Sequence, residues 1–186
     1  MPRYTPEQRA LRARDRAKRT ILALVNANGG ELVGKLRLYK AFYRAHLDYF
    51  RATGLELTGY PIVRMPNGPG IDNATDLIDE MRASGDLTEE IGTRGLEFER
   101  AYRARRDNLA ELDADQLQAV HSAVQWANSL SSAELSEASH QASWHETVNG
   151  QEQPILIDAL SAEELVARRS EARARLAAVT PANVRA

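Results

Sequence analysis

The run KLRLYKAFYRAHLDYF, residues 35–50, decides the fold. Leu36, Tyr39, Tyr43, Leu47 and Phe50 recur in it at steps of three or four, the period of one helix face. Of the chain's six tyrosines and three phenylalanines, five lie in this run. A helix that gathers most of the bulky apolar side chains has to be wrapped by other elements, so this one is read as the central core helix. Gly54 stops it. Upstream, Thr5-Pro6-Glu7-Gln8 opens an earlier helix: threonine caps, proline suits the first helical position, and Gln8 can reach back in a capping box. Ala10, Ala13, Ala17, Ile21 and Leu24 form its apolar stripe, and Asn28-Gly29-Gly30 ends it.

Downstream the text changes. Leu57 to Met65 is extended and holds Pro61, which predicts a short strand. Pro66-Asn67-Gly68-Pro69-Gly70 reads as a turn. A third helix follows, capped by Asp72 or Asn73, with Ile71, Ala74, Ile78 and Met81 on one face and Gly85 as its stop. Residues 86–91 and 96–100 read as two strands about the turn Gly92-Thr93-Arg94-Gly95. The remainder is helical. Asp113 opens a helix carrying Leu117, Val120, Val124 and Ala127, Ser131 caps a short one reaching His140, and Ser161 opens a last one over 161–179. Residues 141–160 read as an irregular loop with Trp144. The sum is a mostly α-helical α+β protein, a helix-rich domain with a short strand and a β-hairpin. Its order, helix–helix–strand–helix–hairpin, is that of a winged-helix-like core.

The 186 residues form a single domain, 1–186, with 43% hydrophobic residues supplying a core. With no cysteine, disulfide scaffolds, thiolate zinc sites and cysteine nucleophiles are excluded. The longest aliphatic run, Ile21 to Val25, falls far short of the roughly 20 apolar residues of a membrane span. No secretory signal is legible, so a cytoplasmic protein without membrane contact is expected. The formal charge is −2, yet it is unevenly spread. Residues 1–19 carry seven basic groups against Glu7 and Asp15, whereas Asp107 to Glu164 holds eleven carboxylates and no lysine or arginine. Either these faces pair within the fold or are merely solvated, or the molecule is a dipole that steers a charged partner.

No catalytic constellation emerges. His121, His140 and His145 are near in sequence, but HQASWHE spaces the last two by five rather than the four that puts both imidazoles on one helix face. A Gly-x-Ser-x-Gly elbow and a phosphate-cradling loop are both missing. The expectation is therefore no enzyme, no cofactor and no metal. A DNA-binding reading meets a charge problem, because the third helix carries Asp72, Asp76, Asp79 and Glu80 against Arg82 alone. Arg94, Arg100 and Arg103 on the hairpin are the residues that would touch phosphate if that reading held.

Several motifs stand in a telling order: Lys35-Leu36 with Tyr39, then Gly68-Pro69, the helix closing on Ser84-Gly85-Asp86-Leu87, and far downstream Leu135, Ser139-His140 and Trp144. In that order the chain resembles the Panacea domain, the family of SocA-like and phage-associated antitoxins, over roughly residues 20–146. The helix 5–28 and the helix 161–179 would flank this core. Relatives often read Lys-Leu-x-Lys-Leu with tyrosine following, where Arg37 and Leu38 stand here, and Asn67 replaces a common aromatic or histidine. The resemblance implies a protein that binds and neutralises a cognate toxin, or hands it to a bacterial protease as an adaptor. It also implies structural roles for Gly68 and Pro69 in the turn, and for His140 and Trp144 in locking the C-terminal elements. Self-association into a homodimer through a flanking helix is expected alongside. A winged-helix-like DNA-binding transcriptional or phage regulator is the alternative; otherwise nucleic acid is not an expected partner.

Overall fold

The computed structural model describes residues 4–94, 97–161, 163–164, 166–168, 170–171 and 173. Helix α1 spans Pro6–Ala27, and Thr5 caps it in the expected capping box with Gln8. Its first turns are solvated, while Ile21 to Val25 are entirely buried. Strand β1, Glu31–Val33, follows. Helix α2, Lys35–Thr53, ends at Gly54, whose φ of 71° is the left-handed cap conformation that glycine accepts freely. Next come β2 (Ile62–Met65), β3 (Gly68–Ile71), α3 (Ala74–Ala83), β4 (Leu87–Arg94) and β5 (Glu97–Ala104). A short 3-10 turn at Leu109–Glu111 precedes α4 (Ala114–Asn128), α5 (Ser132–Ala138) and α6 (Ala142–Glu146), and a second 3-10 turn covers Ile155–Ala159.

Helix α2 is the axis of the molecule. Leu38, Ala41, Phe42 and Tyr43 on it are sealed from water, and it packs on α4, α1, α5, β3 and the 155–159 turn. One antiparallel sheet has the order β1–β5–β4, with Leu32 opposite Tyr102 and Leu87 opposite Ala104. The other is the β2–β3 hairpin. The mostly helical α+β class read from the sequence is the observed one. Among the described residues no helix is long and apolar enough to cross a membrane.

Four local readings need correction. Strand β1 was absent from the expected order; at three residues it is too short to show alternation and is held by its pairing with β5. The stretch 66–70 is not all turn. Only Pro66 and Asn67 turn the chain, and Gly68, Pro69 and Gly70 pair with β2. Arg64 directs its backbone outward, its N–H donating to Gln151 and its carbonyl accepting from Gly150. Arg64–Pro69 is thus a non-hydrogen-bonded pair of the ladder, where proline's missing N–H costs nothing. Ile71, expected on the third helix, therefore sits in β3 opposite Ile62. The long hairpin continues through Gly92 to Arg94, because Thr93 and Phe98 form a β-branched–aromatic cross-strand pair that extends the ladder. Finally, the segment 141–160 is ordered by α6 and the second 3-10 turn rather than being a loop throughout.

Other expectations hold. Asp113 and Ser131 cap α4 and α5 in capping boxes with Gln116 and Glu134. Asn73 precedes α3 as expected, but at φ 42° and without a side-chain capping bond. The expected helix 161–179 opens with Ser161 and Glu164 bonded reciprocally. Most of its remainder lies outside the described residues.

Candidate functional site

The β2–β3 hairpin is held by α2 and by α5 with α6, and most of the sequence-singled residues converge there. The hold from α2 comes from its N-terminal half. Lys40 is 1% exposed, and its ammonium donates to the Pro69 carbonyl at 2.9 Å. No carboxylate is paired with it among the described residues, so burial alone pushes its pKa down to about 7. Gly68, at φ 96°, lies beneath it. A Cβ at that position would fall 2.5 Å from Lys40 Nζ and collide with Ser139 Oγ as well, so only glycine fits.

The remaining hold comes from α5 and α6. Ser136 Oγ donates to the Asn67 carbonyl at 3.0 Å, and Trp144 Nε1 donates to the Met65 carbonyl at 2.9 Å. Arg64 lies 4.2 Å over the Trp144 ring and donates from Nε to the Trp144 carbonyl. His140 stacks on Trp144 at 3.8 Å, and His145 meets the same ring edge-on at 5.0 Å. Burial, with the nearby Lys40, His145 and Arg64 charges, lowers the His140 pKa despite the opposing Glu137. Its Nε2 is buried without a hydrogen-bond partner. No group of three His, Asp or Glu among the described residues is placed to hold a metal ion.

Lys35, Leu36, Tyr39, Gly68 and Pro69 thus border one hollow of about 260 Å3, together with Met65 and Pro66. His140 and Trp144 brace the same hairpin beside it. A similar cavity of about 280 Å3 lies beside the 155–159 turn, bordered by His46, Tyr60, Ile62 and Leu156. Both are smaller than the roughly 300–1,000 Å3 typical of small-molecule sites.

Arg100 and Arg103 lie elsewhere, on β5, and Arg94 is on β4. Arg100 is ion-paired with Glu89 at 2.6 Å, and Arg103 with Glu31 and Glu90. Arg14 and Lys18 of the basic first helix both meet Glu80 of α3, at 2.6 and 3.1 Å. Of the two readings of the uneven charge, pairing within the fold accounts for these groups. Sequence reasoning missed Lys40. Its only signal there was a lysine beside the aromatic stripe of α2. It also missed the link from Tyr43 to Asp158 (2.9 Å), and from Asp158 to the Ser143 amide, that fastens the 155–159 turn to α2.

Comparison with known proteins gives one match. The sequence pattern of a family described as "Antitoxin SocA-like, Panacea domain" fits residues 38–145, more than half of the chain. That span holds most of α2, the whole β2–β3 hairpin, and α5 with the His140–Trp144 stack. No curated protein and no solved structure matches the chain.

Proposed function

Because the chain belongs to the SocA-like Panacea antitoxin family, we propose that it acts by binding and neutralising a cognate protein toxin, and that it does no catalysis of its own. The observation carrying this reading is the family match over the very segment that builds the clasped hairpin. Rigid clasping of a turn against two helices fits a protein that presents a fixed surface to a partner, since preorganisation lowers the ordering cost of association. Delivery of the bound toxin to a bacterial protease is the form the activity takes if the complex is short-lived in the cell. A cytoplasmic setting and a homodimeric state belong to the same proposal.

A second reading, the winged-helix-like DNA-binding regulator, has one observation in its favour. With the β2–β3 hairpin inserted between α2 and α3 set aside, the order α1–β1–α2–α3–β4–β5 and the sheet order β1–β5–β4 resemble the way a winged helix carries its hairpin. Charge weighs against it. The exposed face of α3 presents Asp76, Asp79 and Glu80, and its Arg82 is paired with Asp79 at 2.8 Å. Glu80 is already met by Arg14 and Lys18, and Arg82 is the one cation on this helix, so α3 has no unpaired cation to offer a phosphate-lined groove.

The test is affinity purification of the tagged protein from its own host at about 0.5 M salt, where surface electrostatics reach only a few ångströms. A near-stoichiometric companion protein whose toxicity is relieved by co-expression is the expected result. A lone protein that acquires DNA as salt is lowered would replace this reading with the second one.

A further inference from the structure

The hollow between the first turns of α2 and the Pro66–Asn67 turn is apolar, with Leu36, Tyr39, Met65 and Pro66 on its walls. Its charges are all of one sign. Lys35 and Lys40 border it, and no carboxylate does. Lys40 is turned inward to Pro69. Lys35 is exposed on the rim, 5.4 Å over the Tyr39 ring, and no described carboxylate pairs with it. Many cations elsewhere face an acid within the fold, Arg14, Arg44, Arg100, Arg103 and Arg106 among them.

The same surface continues toward the long hairpin. Lys35 and Tyr39 also border a shallow depression reaching Arg100 and Tyr102 of β5 and Glu89 of β4, whose carboxylate is taken up by Arg100 at 2.6 Å. In the ladder Ile91 is opposite Arg100, and Phe98 is two residues from Arg100 on the same strand, so all three share one face. That face is the one that buries Tyr102 nearer the core. Ile91 and Phe98, beyond the core's edge, are 63% and 83% exposed. An apolar hollow, an ammonium with no carboxylate partner of its own, the Glu89–Arg100 ion pair and two exposed apolar side chains therefore follow one another.

We propose that this face receives an acidic segment of a protein partner, in which a large apolar side chain fills the hollow and a neighbouring Asp or Glu meets Lys35. The proposal rests on the reading that the chain acts by binding protein, and it names the face and the partner's chemistry. A carboxylate beside an apolar group answers both features at once. A purely apolar segment would leave Lys35 stranded against buried surface, and a basic one would be repelled.

The experiment uses the full chain, immobilised and panned with phage displaying random peptides, in parallel with Lys35→Glu. The substitution is on an exposed rim position and leaves the packed core alone. Enriched peptides are expected to carry Asp or Glu within one or two positions of Leu, Ile, Phe or Trp. A synthetic representative is expected to bind Lys35→Glu about fivefold or more weaker, the size of a surface ion pair removed and reversed. Leu36→Asp is expected to abolish its binding. No enrichment, enrichment without acidic bias, or equal affinity for Lys35→Glu would overturn the proposal. So would a DNA duplex binding in a Lys35-dependent way. Failure of this surface is distinguishable from failure of the antitoxin reading. A toxin that co-purifies equally with the native chain and Lys35→Glu leaves the function standing and removes the surface. Lys35-dependent peptide binding with no toxin in the host does the reverse.

Discussion

The Lys40 ammonium and the Pro69 carbonyl oxygen meet across 2.9 Å in a region closed to water. A single neutral acceptor does not compensate a buried cation, so the charged form is disfavoured. The folded pKa of about 7 lies well below the ordinary lysine value of 10.5. Between these two values the unfolded chain binds a proton that the folded chain lacks, so stability rises with pH across that interval. Below about 7 both states are charged and the penalty is fully present. Comparing urea unfolding of the native chain with Lys40→Met isolates this effect. The stability of Lys40→Met relative to the native chain is expected to fall by about 1.4 kcal/mol per pH unit from 7 to 9. A difference that stays constant with pH would mean Lys40 is not buried as described.

His46 acts in the acid range. Its Nδ1 faces the Phe42 carbonyl at 2.8 Å and its Nε2 faces Thr58 Oγ1 at 2.7 Å, with the ring buried. Burial pushes its pKa down to about 4, only partly opposed by the Phe42 bond. Its stabilising contribution is complete above the unfolded value of 6.5 and is lost as pH falls from there toward 4. His46→Gln is expected to be less stable than the native chain at pH 7 and to have a visibly flatter stability profile between pH 6.5 and 4.5. Parallel profiles in that range would refute the assignment.

Gly68 and Gly150 separate two kinds of glycine requirement. Both have positive φ, 96° and 83°, but a Cβ meets nothing within 4 Å at Gly150 and overlaps Lys40 and Ser139 at Gly68. Gly150→Ala is expected to cost about 1–2 kcal/mol, from backbone strain alone. Gly68→Ala adds overpacking and is expected to cost about 3 kcal/mol or more. Thermal or urea unfolding reads both, and equal losses would remove the close approach of Lys40 and Ser139 from the account.

Trp144 holds the hairpin through its ring N–H. Trp144→Phe keeps an aromatic for His140 to stack on but removes the indole N–H, leaving the Met65 carbonyl only its partner across the hairpin, Gly68. The expected loss is about 0.5–1.5 kcal/mol. Amide exchange at residues 62–65, 68, 70 and 71 is expected to speed up more than exchange in α4. Uniform acceleration throughout the chain would instead point to a general loss of packing.

How far the sequence could be read depended on whether a signal was local. Capping boxes at Thr5, Asp113 and Ser131 and the left-handed stop at Gly54 are short-range chemistry, and each stands where the residues put it. The aromatic stripe of α2 identified the core helix for the same reason. Strand β3 was hidden because Gly-Pro-Gly has turn composition, and only its fit against Lys40, Ser139 and Met65 makes it a strand. Lys40 was hidden because nothing in its neighbours announces a carbonyl arriving from 29 residues away. The pairing of Arg14 with Glu80 spans 66 residues and is equally invisible to periodicity. Gly68, Pro69, His140 and Trp144 were noticed through family resemblance. Their meeting at one hairpin could be seen only in three dimensions.

The bonds that close on the β2–β3 hairpin from α5, α6 and the strand-like contact at Glu152 join residues 62–67 to residues 136–153. A chain emerging from the ribosome reaches Met65 and Asn67 long before it reaches their partners. Until residue 153 or so has been made, the hairpin has only the α2 side of its grip. The surface it shapes is therefore finished late in synthesis, and a chain interrupted before α6 carries the central helix without a settled hairpin beside it. Incomplete translation products of this protein thus lack the clasp that fixes the finished hairpin.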